Sequence, residues 1–199
     1  MTTMRAAKQY LLLALILVPL LCAPVTAATI LKVEVNHSKG RYTVMFDARL
    51  DADSAIIRQH LTDYDNLTRL SDTITESRIL QTYPDGKQRI LVTVNSCVLF
   101  FCKTIKSVQD VETLDNGDIM ARSDPEESDY SYATQRWQII PENGHTRLKH
   151  QAELVPKFYV PPLIGTWLVK MRIRNELRIT VQRLEILAGD AKEADEVDE

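Results

Sequence analysis

Glycine and cysteine are scarce: the chain has six glycines and three cysteines among 199 residues. The glycines are scattered at turn-like positions, which excludes a Gly-rich phosphate loop. There is no Gly-x-Ser-x-Gly elbow to expose a nucleophilic serine. The four histidines, His37, His60, His145 and His150, have no ligand-like spacing with Cys, Asp or Glu. No metal site, no cofactor and no catalytic constellation is therefore expected, and His145 and His150 read as surface positions on a turn and a strand. Dense basic runs are missing too, and the net charge is −3. That argues against a nucleic-acid binder, which concentrates Lys and Arg to displace counterions from phosphate. The densest basic stretch, Lys170 to Arg174 with Arg178, reads as the solvated face of a helix.

What is present begins with a leader. Arg5 and Lys8 precede an apolar segment from Leu11 to Leu21, and Val25-Thr26-Ala27 offers small residues for cleavage. Residues 1–27 are expected to be a signal peptide, delivering a periplasmic or secreted product. The apolar segment is interrupted by Pro19 and Pro24 and falls short of the roughly 18 to 20 residues of a membrane span. Cys22 follows Leu21 rather than a small residue, which speaks against lipid modification. The remaining 172 residues carry 22 basic and 27 acidic side chains, enough for one domain, placed at 28–188. Residues 189–199 are acidic and poor in bulky apolar groups, and are expected to form a disordered tail.

Cys97 and Cys102 remain after the leader. On one continuous strand their Cα atoms would be roughly 16 Å apart at about 3.3 Å per residue, whereas a disulfide needs about 4.4 to 6.8 Å. A bond therefore requires a turn between them, and strand-like alternation on either side, Arg89 to Asn95 and Lys103 to Glu112, allows a hairpin stapled at its neck. Two unpaired thiols packed on the sheet are the alternative. The tip of that hairpin, Val98-Leu99-Phe100-Phe101, lacks the Gly, Asn or Asp of a solvated turn. Three readings stay open for it: a flap over a cavity mouth, a contact with a membrane surface, or core.

Alternation predicts strands at Ile30 to Val35 and Tyr42 to Leu50, joined as a hairpin or as one bent strand around His37 to Gly40. A first helix starts at Asp53 or Ser54, with Ile56, Ile57 and Leu61 at helical spacing, and a second short helix or turn follows at Asp63 to Asp72. Further strands are expected near Ile74–Thr82, Lys87–Asn95, Lys103–Thr113, Asp118–Ser123, Tyr130–Ile140 and Thr146–Leu154. Turn signals at Pro84-Asp-Gly86, Asp115-Asn-Gly117, Asp124-Pro125 and Asn143-Gly144 separate them. After Pro161-Pro162 one long helix runs to about Leu187, roughly 39 Å at 1.5 Å per residue. Its apolar stripe is read as Ile164, Leu168 and Met171, then Ile173, Leu177, Val181 and Leu184. The class is α+β: a curved antiparallel sheet of about six or seven strands around a long C-terminal helix, with two short helices after the first strand.

Several phrases resemble the START-like superfamily, in particular its branch of polyketide cyclases and coenzyme Q-binding proteins. They are Leu61-x-Asp63-Tyr64-x-x-Leu67, Trp137-x-Ile139-x-Pro141-x-x-Gly144-x-Thr146, and the approach to the last helix through Pro156, Phe158, Pro161 and Leu163. The resemblance spans about Tyr42 to Leu187. It implies a helix-grip cavity for a hydrophobic small molecule such as a lipid, quinone or polyketide.

Within that cavity Tyr64, Phe100, Trp137, Leu163, Ile164, Trp167, Leu168 and Met171 are the expected ligand contacts. Arg136, Tyr132, Tyr159 and Arg172 are candidate polar handles for acid-base chemistry of the cyclase kind. Strand alternation sets Arg136 and Trp137 on opposite faces, and a Trp beside small Ala133 suits the enclosed one. The leading expectation is an exported binding or carrier protein for a hydrophobic ligand. A cyclase or aromatase acting in the same cavity is the second, and a protein-interaction module at a membrane is the third. Peripheral membrane contact through Val98, Leu99, Phe100 and Phe101 accompanies the first and third.

Overall fold

The computed structural model describes residues 28–98, 101–159 and 165–197. Eight strands form one antiparallel sheet: β1 (Thr29–Ser38), β2 (Arg41–Leu50), β3 (Ile74–Thr82), β4 (Gln88–Val98), β5 (Phe101–Thr113), β6 (Ile119–Ser123), β7 (Tyr130–Glu142) and β8 (His145–Pro156). Their order is β1-β2-β8-β7-β6-β5-β4-β3. Helix α1 (Ser54–Thr62) and a single 3-10 turn (Leu67–Leu70) occupy the crossover from β2 to β3, and helix α2 (Gly165–Val197) follows β8. The first hairpin pairs with the last strand, so the sheet curls and α2 lies in its concave face. This is a helix-grip arrangement.

The expectation of six or seven strands falls short because residues 29–50 fold as two strands. Lys39 and Gly40 both take positive φ, 50° and 78°, the backbone that a two-residue turn of the primed type requires. Asp53 caps α1, its carboxylate accepting from the Ala55 N–H at 2.7 Å. Period-two burial is cleanest on β2, where Tyr42, Val44, Phe46, Ala48 and Leu50 are buried and the residues between them mostly face solvent.

The second half of α2 closes the core. Leu177, Val181, Leu184 and Ala188, at helical spacing, are buried in one cluster with Ile57 and Leu61 of α1 and with Phe46, Ala48 and Leu148 of the sheet. Each fully buried aliphatic side chain contributes about 1.5–3 kcal/mol. Polar ties fix the helix's rotation. Glu185 accepts from the backbone N–H groups of Ala28 (2.5 Å) and Asp51 (2.7 Å), and Arg183 pairs with Asp72 at 2.5 Å. The helix does not end near Leu187 but continues to Val197, across most of the stretch assigned to a tail. Ala191, Lys192, Glu193 and Ala194 are strong helix formers, and propensity carries the helix on after its apolar stripe has stopped. The leader, residues 1–27, lies outside the described residues.

Cys97 and Cys102 are bonded to each other. They are register partners on β4 and β5, one pair inside Val98 and Phe101, so the bond staples the hairpin neck. The loop it closes is short, and the denatured-chain entropy it removes is worth about 2 kcal/mol. Reduction is therefore expected to lower unfolding free energy by that amount while leaving the fold intact. Urea titrations with and without dithiothreitol measure it, and a loss of the folded baseline on reduction would contradict it.

Candidate functional site

The first half of α2 does not sit flush on the sheet. Between them is a cavity of about 450 Å³, within the roughly 300–1,000 Å³ range of pockets that enclose one small molecule. Strand alternation builds its sheet wall: β5 contributes every second residue, Phe101, Lys103, Ile105, Ser107, Gln109 and Val111, while Cys102 faces the other way. Leu61 of α1, Leu67 and Leu70 of the 3-10 turn and Tyr64 of the link between them also line the cavity. The helix supplies Val169, Arg172, Ile173, Glu176, Leu177 and Thr180. Most of this surface is aliphatic or aromatic.

Besides Lys103 and Ser107, polar groups gather in two clusters. On the sheet, the Gln135 side-chain N–H donates to Gln109 Oε1 at 3.3 Å, and Gln135 Oε1 lies 3.3 Å from His150 Nε2. With its oxygen turned to the imidazole, Gln135 accepts, so Nε2 carries the hydrogen. The ring of His150 stacks on Trp137, centroids 3.9 Å apart, and its Nδ1 is buried without a partner. Burial pushes the His150 pKa down to about 3, so the imidazole is neutral at pH 7. The phenols of Tyr64 and Tyr130 are pushed up to about 12, again by burial.

On the helix side Glu176 Oε2 accepts from Ser71 Oγ (2.6 Å) and Thr73 Oγ1 (2.8 Å). Its other oxygen is 2.9 Å from Arg172 Nη2, yet that oxygen has no hydrogen-bond donor. The pair is thus in ionic contact without an aligned N–H. Arg172 Nε is likewise buried and unpartnered.

The expected contact residues divide. Tyr64 and Trp137 line the cavity. Trp167 and Met171 are 68% and 49% exposed on the outer face of α2, and Leu168 is half-buried away from the cavity wall. The helix's first turns are apolar nearly all round, so periodicity there carries no phase, and the stripe that continues Leu177 backward is Ile173 and Val169. Phe100, Leu163 and Ile164 lie outside the described residues. Trp167→Ala is accordingly expected to change stability by no more than about 0.5 kcal/mol, as an exposed substitution does, and to leave ligand retention unchanged. Thermal melts and retention assays on the variant check both.

Among the polar handles, Arg172 is in the wall rather than on a solvated face. Arg136 is on the convex side with Asp118, Nε to Oδ2 2.6 Å, while Tyr132 and Tyr159 are exposed. His150 is a buried wall residue and not the surface position its strand suggested. Lys103, Gln109, Gln135 and Glu176 were not singled out from the sequence. Once Trp137 is placed inward, alternation alone brings in Gln135; the others needed the pairing of strands and the phase of α2.

A scan against protein-family models finds no match, and a search of curated proteins finds none either. Solved structures do match in fold. A START superfamily protein from Mycobacterium smegmatis superposes with a TM-score of 0.61 at 18% identity, covering 75% of this chain and 98% of that one. The Zhui aromatase/cyclase from Streptomyces sp. R1128 gives 0.59 at 14% identity, covering 75% and 94%. A STAR-related lipid transfer protein from Xanthomonas axonopodis gives 0.54 at 14% identity, covering 76% and 98%. The chain has the START-like helix-grip fold.

Proposed function

We propose that this protein is an exported binding or carrier protein for a hydrophobic small molecule held between the sheet and α2. The observation that carries the reading is the apolar cavity itself. A sheet and helix that served only as a scaffold would close that space, because lining atoms facing a void forgo dispersion contacts. Apolar burial at about 25 cal/mol per Å² supplies the driving force. The names of the structural neighbours, a lipid transfer protein and an aromatase/cyclase, support an organic ligand. Export is supported by the leader-like residues 1–27 and by the Cys97–Cys102 bond, which suits an oxidising compartment. Val98 and Phe101 line the hairpin end of the cavity, and with Leu99 and Phe100 they form the proposed contact with a membrane during loading.

A cyclase or aromatase in the same cavity would need a general acid or base poised near pH 7. The wall groups whose pKa is displaced move the other way: His150 down, Tyr64 and Tyr130 up. That favours retention over turnover.

The test is to purify the protein from an export-competent host, extract it with organic solvent and analyse the extract by mass spectrometry. A stoichiometric apolar compound is the expected result. An empty extract from a correctly folded protein would overturn the carrier reading.

A further inference from the structure

The charges in the cavity wall do not balance. Three wall side chains carry charge, Lys103, Arg172 and Glu176, and His150 is neutral, so the wall holds one positive charge in excess. Neither cation has an aligned acceptor among the described residues. Among the described residues Lys103 makes no ion pair and no side-chain hydrogen bond; its one contact is with the Phe158 ring, 5.5 Å from Nζ to the centroid. Among the same residues Arg172 makes only the misaligned approach to Glu176 and donates no hydrogen bond. Glu176, by contrast, is held by two hydroxyls as well. A guanidinium offers five N–H groups in a planar fork. The Nε of Arg172 is buried without an acceptor, and leaving that donor unused in an apolar wall is unfavourable unless something else accepts it.

The topology brings both cations to one end. Lys103 pairs with Ser96. The neighbouring Asn95 donates its backbone N–H to the Thr73 carbonyl at 2.8 Å. The Thr73 hydroxyl in turn holds Glu176, one helical turn from Arg172. The other end of the β5 wall is Val111, eight residues from Lys103, and it clusters with Leu61, Tyr64 and Ile119, none of which is charged. The cavity is therefore polarised along its length, apolar at the Val111 end and cationic toward the hairpin.

We infer that the ligand is an amphiphile with one acidic head, its carboxylate-type group seated by Arg172 and Lys103 and its apolar body directed toward Tyr64 and Val111. This rests on the carrier reading and names the class of cargo. The head neutralises the wall's surplus charge and takes the unused guanidinium N–H groups, whose planar fork matches a carboxylate or a phosphodiester.

The experiment titrates the full chain calorimetrically with palmitate, with hexadecanol and with a single-chain lysophosphatidylglycerol. Palmitate is expected to bind at least about tenfold more tightly than hexadecanol, the scale of one charge-assisted hydrogen bond. Arg172→Gln and Lys103→Gln should each remove most of that preference, read as the ratio of palmitate to hexadecanol affinity within each variant. Lys103 lies outside the Glu176 cluster, so its variant serves even if Arg172→Gln disturbs the fold. A lysophosphatidylglycerol affinity above that of palmitate would still support a monoanionic head and assign it to a phosphodiester source. Equal binding of palmitate and hexadecanol would overturn the acidic head and leave the carrier reading standing; binding of none of the three would overturn both.

Discussion

Replacing Leu184 with alanine is expected to destabilise the fold by about 3 kcal/mol, and the same truncation at Ile173 by less than about 1.5 kcal/mol. Both are aliphatic residues on the inward stripe of α2, and they differ in what they face. Leu184 is wholly inaccessible in the cluster with α1 and the sheet. Its loss removes the transfer energy of the deleted carbons and leaves a void, which together cost about 2–5 kcal/mol for a buried Leu. Ile173 already borders the cavity, so its truncation enlarges an existing space and breaks fewer contacts. Urea unfolding of the two variants, followed by circular dichroism, measures the difference. Equal losses would mean that the first half of α2 packs as tightly as the second, and the cavity would lose its meaning.

That contrast describes a division of labour along one helix. The second half, with Leu177, Val181, Leu184 and Ala188 buried, Glu185 tied to the residues just before β1 and just after β2 and Arg183 to Asp72 after the 3-10 turn, anchors α2. The first half spans the cavity, fastened to the sheet side through Glu176 and its two hydroxyl donors. A ligand can replace contacts on the first half without the core reorganising.

The same division explains what the sequence made legible. Strands β3 to β8 are marked by alternation and by turn residues such as Asn143-Gly144, where Gly144 takes φ 73°, and these fall within a few residues of expectation. Asp53 as a cap and the inward face of Trp137 follow from local chemistry alone. Leu177, Val181 and Leu184 are legible because polar residues flank them. The stretch from Trp167 to Ile173 is not, since apolar side chains surround the helix there and phase is decided by packing. Tyr130 shows a second limit. Strict alternation sets it apart from Trp137, but a register shift between Tyr130 and Tyr132 puts both in the cavity wall. Arg172 and Glu176 look in sequence like an ordinary i,i+4 surface pair; only the approach of Ser71 and Thr73, a hundred residues away, makes them interior.

Acidification between pH 6.5 and 4.5 is expected to remove about 2–3 kcal/mol of stability through His150. Its folded pKa of about 3 lies below the ordinary value of 6.5, so in this window the unfolded chain takes up a proton that the folded one refuses. The sign follows: the contribution is fully present above pH 6.5 and is lost as pH falls toward 3, at about 1.4 kcal/mol per pH unit for one proton. The cause is burial alone, with the imidazole stacked on Trp137 and its Nδ1 unpartnered. Carboxylates act lower on the scale. Asp47, hydrogen-bonded to Arg147, is held below the usual carboxylate range, and its contribution is lost only as pH falls below about 4. His150→Gln keeps an amide beside Gln135 and removes the titration, so its unfolding free energy should be nearly flat from pH 6.5 to 4.5. Urea titrations of both proteins at four pH values across that range provide the measurement, and parallel slopes would show that His150 is not the group responsible. A flat variant that still binds palmitate would further show that an uncharged polar side chain is all the wall needs at this position, with charge confined to the Lys103 and Arg172 end of the cavity.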